Sequence, residues 1–104
     1  MFLYEVTATL KSEQACERYL AWLLEGHASA LLSWAERAEV TRLDPTPEAP
    51  WRVKSAYLFQ DREAYERYTR EGAPALRAEG VALAESLGGV GFERAMGPTW
   101  RCAR

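Results

Sequence analysis

The chain contains no asparagine and no isoleucine, a single histidine (His27), two cysteines, and two lysines against eleven arginines. Each scarcity excludes something. Zinc takes three or four clustered ligands, and one histidine with the distant pair Cys16 and Cys102 cannot supply them. No CxxC occurs either, so the expectation is no metal, no haem and no other cofactor. Two isolated cysteines read as reduced thiols of a cytoplasmic protein. No apolar run approaches the ~20 residues that a membrane span requires. Met1-Phe2-Leu3-Tyr4-Glu5 also lacks the basic start of a signal peptide. Positive charge is not in excess: thirteen basic against fifteen acidic side chains leave a net charge of −2. That balance argues against a nucleic-acid or anionic-membrane partner. The lack of thermolabile asparagine is compatible with a thermophile, and the arginine bias equally with codon usage.

What is present fits one soluble domain. The 104 residues are 48% hydrophobic and 27% charged, an ordinary globular balance. Residues 2–10 alternate, with Phe2, Tyr4, Val6, Ala8 and Leu10 on one side, which predicts a strand. Ser12 and Glu13 open a helix that carries Cys16, Tyr19, Leu20, Leu23 and Leu24 and stops at Gly26. A short second helix covers Ala28 to Trp34, and a strand runs from Arg37 to Leu43. The three prolines in Asp44–Pro50 make a rigid connection that no inner strand tolerates. Trp51 to Gln60 alternates again. Asp61 caps a helix bearing Tyr65 and Tyr68, which ends near Gly72. Pro74 begins another, with Leu76, Gly80, Leu83, Ala84 and Leu87 on one stripe. Val90 to Met96 is the last strand. The expected domain is residues 1–98, with 99–104 a C-terminal tail.

The order β-α-β-β-α-β with interrupted helices is the α+β, ferredoxin-like split βαβ arrangement: a four-stranded antiparallel sheet with helices on one face. One sheet face carries Phe2, Tyr4, Val6, Val53, Tyr57, Phe59, Phe92 and Met96. The other carries Glu5, Thr7, Thr9, Arg52, Lys54 and Glu93, interrupted by Leu3, Ala56 and Leu58. The mixed face is either solvated or set against a second copy, enclosing a partly polar cavity.

The long alternating first and third strands, and the helices interrupted after His27 and at Ala73-Pro74, resemble the dimeric α+β barrel superfamily. The similarity is nearest to one of its uncharacterised families. It is carried by Trp22 and His27, Tyr57-Leu58-Phe59, Tyr65, Tyr68 and the run from Ala73 to Gly80. The resemblance implies a homodimer whose two sheets close a barrel, with a small molecule held in the barrel or at its mouth.

Among candidate site residues, His27 has a side chain suited to acid–base work near neutrality. Its alternative role is to complement the C-terminal end of the first helix, since no carboxylate stands at a motif spacing from it. His27 and Tyr57 are the catalytic candidates. Tyr4, Trp51, Tyr57 and Phe92 are the candidates to line a pocket, although aromatics in small domains are more often core. Arg94, a charge on an otherwise apolar strand face, lies at an exposed end or meets an anion. Two function classes follow: a ligand-binding dimer without turnover, or an enzyme similar to the superfamily's cofactor-independent monooxygenases or isomerases. The superfamily's haem-degrading branch uses an asparagine, which this chain lacks. An RNA-recognition domain shares the strand order, but the basic start of its longer motif is missing.

Overall fold

The structure, a computed structural model, describes residues 1–104. The strands β1 (Phe2–Thr9), β2 (Arg37–Arg42), β3 (Arg52–Phe59) and β4 (Gly91–Pro98) form one antiparallel sheet in the order β2-β3-β1-β4. The chain therefore has the expected ferredoxin-like α+β topology. Strand β1 lies between β3 and β4, with Tyr4 opposite Tyr57 on one side and Met96 on the other. No helix is long and apolar enough to cross a membrane.

Helix α1 (Glu13–Trp22) starts where Ser12 accepts a hydrogen bond from the Ala15 amide at 3.1 Å. Helix α3 (Arg62–Glu71) starts in the same way, with Asp61 accepting from the Ala64 amide at 2.8 Å. Both short polar side chains satisfy an amide that the first turn leaves unpaired. Helix α4 (Ala73–Ser86) follows α3 directly, with Pro74 in its first turn.

The helix breaks at Gly26, as expected, because that residue leaves helical geometry. The chain continues through a π turn, Leu23–His27, in which the Ala28 amide bonds to the Leu23 carbonyl. Gly26 takes φ 153° there, a conformation that glycine adopts without steric penalty. Beyond this kink a new helical segment, α2 (Ala28–Ala30), with a 3-10 turn (Leu31–Ser33) completes the crossover. The expected second helix to Trp34 is thus shorter. The last strand runs further than expected, because Gly97 and Pro98 pair with Leu3 and Phe2. Beyond it the Thr99 amide bonds to the Met1 carbonyl, and residues 100–104 belong to no helix or strand.

The face with Phe2, Tyr4, Ala8, Val53, Tyr57 and Phe59 is buried under the helices, where it meets Cys16, Tyr19, Leu23, Leu31 and Tyr68. The opposite face carries no helix. Leu3 pairs with Leu58 and Glu5 with Ala56, and the Lys54 ammonium lies 3.1 Å from the Glu5 carboxylate.

One contact fixes how α3 joins α4. The Trp34 ring lies so close to Gly72 that a β-carbon there would stand 2.6 Å from it. Its indole nitrogen donates to the Glu71 carboxylate at 3.2 Å.

Candidate functional site: a cavity between sheet and helices

The helix-facing side of the sheet is a set of cross-strand rows, and their bulk varies. One row reads Ala38, Tyr57, Tyr4, Met96; another reads Arg42, Val53, Ala8, Phe92. Between them lies the row Val40, Ser55, Val6, Arg94. Its two central members are short, so the sheet surface dips there. Above the dip, α4 presents Gly80, which has no side chain to fill the space. The result is a cavity of about 300 Å³ with a floor of Val6 and Ser55 and a roof that includes Leu76, Gly80 and Val81. Its walls are aromatic: Tyr4, Tyr57, Tyr19, Trp22, Tyr68 and Phe92.

The polar atoms of this space are few. Among the tyrosines, Tyr65 donates to the Met96 sulfur at 3.2 Å. The hydroxyls of Tyr4, Tyr19 and Tyr68 engage no protein partner. No polar side-chain atom is sealed away without one, so these hydroxyls are left open to the cavity as neutral donors and acceptors. Burial pushes the phenols of Tyr19, Tyr57 and Tyr68 above their ordinary pKa, which keeps them protonated. His27, Arg77 and Arg94 are the basic residues at its boundary, and no acidic side chain lines it.

His27 is held from two sides. Its ring stacks on Trp22, centroids 3.8 Å apart and planes at 24°. Its Nδ1 lies 3.3 Å from Oε2 of Glu79 on α4. Burial lowers its pKa below the ordinary 6.5, and the Glu79 carboxylate works in the opposite direction. Near neutrality the imidazole is therefore uncharged. With Nδ1–H donating to the carboxylate, Nε2 is the free acceptor. A shallower depression behind the same ring is lined by Glu25, Gly26, Ala30 and Glu79, so Trp22 and His27 form a partition between two spaces.

The structure brings the candidates His27, Tyr4, Tyr57, Phe92 and Arg94 together around this one cavity. Trp51 stands apart, packed against the core just before β3 and away from the cavity. His27 stands directly after the kink at Gly26, beside the end of the first helical segment. Its carboxylate partner lies 52 positions away, and no spacing rule reaches that far. Aromatic residues seen as core are both: Tyr4 and Tyr57 are 4% and 3% exposed, and each still borders the cavity. The sequence reading missed Ser55, Arg77 and Val81. A signal for the roof exists in Gly80, a helix-interior glycine on a half-buried apolar stripe. No group of three histidine, cysteine, aspartate or glutamate side chains comes together to hold a metal ion.

No family model matches the chain, and no curated protein does. Solved structures do. A dimeric ferredoxin-like protein from an uncultured marine organism superposes with a TM-score of 0.79 at 13% identity, covering 98% of this chain and 97% of its own. A second such marine protein gives 0.70 at 19% identity, with both chains covered in full. SnoaB, a cofactor-independent oxygenase from Streptomyces nogalater, gives 0.63 at 15% identity over 97% of this chain and 94% of its own. At these identities the likeness is one of fold. The fold is that of the dimeric ferredoxin-like proteins, as the sequence resemblance implied.

Proposed function

We propose that this chain is a small-molecule-binding protein whose ligand, a flat and largely apolar compound, sits between the sheet and α4 within one protomer. The observation that carries this reading is the short Val6–Ser55 floor beneath Gly80, which leaves an aromatic-walled space of about 300 Å³ between sheet and helices. A concave, mostly apolar space with a few polar groups is the ordinary form of a ligand site. The site therefore lies on the helix side of the sheet. A second copy, in this reading, covers the helix-free face: Leu3 and Leu58 give one end of that face an apolar patch, and the two marine proteins of this fold are dimeric. Two cysteines outside any disulfide are compatible with a cytoplasmic setting.

The test is an aromatic NMR titration with 2-naphthol, following Tyr19, Phe92 and the His27 imidazole. Saturable shifts at these rings, abolished in Gly80→Phe, are the expected result. Shifts absent from these rings, or unchanged by Gly80→Phe, would overturn the reading.

The His27–Glu79 pair favours a second reading, proton transfer on the bound compound of the kind that cofactor-independent oxygenases and isomerases perform. The neutral imidazole is the proton acceptor, and Glu79 orients it and stabilises the imidazolium that forms. Loss of His27 should then lower turnover by ~10²–10⁴ while binding is retained. His27→Gln with unchanged turnover of a substrate would exclude this second reading.

A further inference from the structure

We propose that the ligand of this cavity carries an anionic group, a carboxylate or an ionised phenol, which is received at the rim by Arg77 of α4 and Arg94 of β4. The inference rests on the cavity being a binding site and adds the charge of what it binds.

The chain as a whole has more acids than bases, yet every charged side chain bordering the cavity is basic. Neither arginine is neutralised: the four ion pairs of the molecule are His27–Glu79, Arg37–Glu39, Lys54–Glu5 and Arg67–Glu71. Arg94 closes the row that forms the cavity floor, next after Val6 on the neighbouring strand. Its guanidinium lies over the Phe92 ring, 5.3 Å from the centroid. Arg77 stands three residues before Gly80 and so on the same side of α4. The two charges act on one region: both favour the ionised form of Tyr65, Arg94 acts likewise on Tyr19, and Arg77 on Tyr68.

Two guanidinium groups without an acidic partner leave the border of this apolar cavity with uncompensated positive charge. Their fork geometry matches a carboxylate, which compensates that charge through charge-assisted hydrogen bonds. Both arginines remain exposed, so an anion there keeps part of its hydration, whereas an anion deeper among the aromatic walls would lose it. The buried end of the cavity is accordingly neutral, with phenols and an uncharged imidazole, and the charged end faces outward. This orientation sets the apolar ring system of the ligand against Trp22 and Tyr19.

The experiment is calorimetric titration of the wild-type protein with 2-naphthoate and with its neutral isostere 2-naphthamide. 2-Naphthoate should bind at least ~tenfold more tightly, on the scale of a charge-assisted contact. Arg77→Gln and Arg94→Gln should each reduce that preference, and the double variant should abolish it. Equal affinity for the two probes would overturn the anionic assignment and leave the cavity reading intact. A preference that survives the double variant would overturn the choice of arginines. Absence of binding by either probe would overturn the cavity reading and this inference with it.

Discussion

The imidazole of His27 lies flat against the indole of Trp22, with ring centroids 3.8 Å apart, because a kink at Gly26 separates the two residues. A regular helix would point residues five apart along its axis in different directions. The kink brings the rings together, and Gly26 supplies the backbone angle that it requires. The only histidine of the chain is thereby placed between the cavity and Glu79.

The pH dependence of stability follows from that placement. His27 has a lowered pKa in the folded protein, so below 6.5 the unfolded chain binds the proton more readily. Its contribution to stability is fully present above pH 6.5 and is lost as pH falls toward the folded value. Urea melts across pH 5 to 8 should show this decline in the wild type and a smaller one in His27→Gln. An unchanged slope in the variant would show that His27 is not the group responsible.

Two glycines should respond to alanine with opposite signs. At Gly72 a β-carbon would meet the Trp34 ring at 2.6 Å, so Gly72→Ala should cost about 1–3 kcal/mol, the scale of overpacking. At Gly80 the nearest atom, on Trp22, is 3.7 Å away. Gly80→Ala should therefore stabilise the helix by about 0.5–1 kcal/mol. Thermal or chemical denaturation of the two variants measures both. A destabilised Gly80→Ala would mean that the cavity roof is tighter than described.

The helix-free sheet face should hold the second copy. Static light scattering at micromolar concentration should give twice the chain mass. Leu58→Glu, which charges the apolar end of that face opposite Leu3, should give the monomer with an unaltered circular dichroism spectrum. A dimer that persists in Leu58→Glu would locate the contact elsewhere.

Much of the architecture is legible in the sequence because it is set locally. The alternation of Phe2 to Leu10, the caps Ser12 and Asp61, and Pro74 in the first turn of α4 each express a short-range rule. The boundaries that differ depend on tertiary partners. Gly97-Pro98 reads as the end of a strand, yet β1 provides a partner for both.

The cavity is less legible, since it arises from three elements brought together by the fold. Val6 and Ser55 look like unremarkable members of their strands, and only the register places them side by side beneath Gly80. The His27–Glu79 contact is of the same kind. Tyr4, Tyr57, Phe92 and Arg94 were identifiable as one face because alternation alone puts them there. Trp51 shares their aromatic character, but it precedes β3 and packs away from the cavity.

The central claim, that the ligand lies inside one protomer between the sheet and α4, is tested most directly by a crystal structure of the protein with 2-naphthoate. The account predicts density over Val6 and Ser55 in every protomer, the ring system against Trp22 and the carboxylate at Arg77 and Arg94. Density between the helix-free faces of two protomers, with the space beneath Gly80 left unfilled, would contradict it.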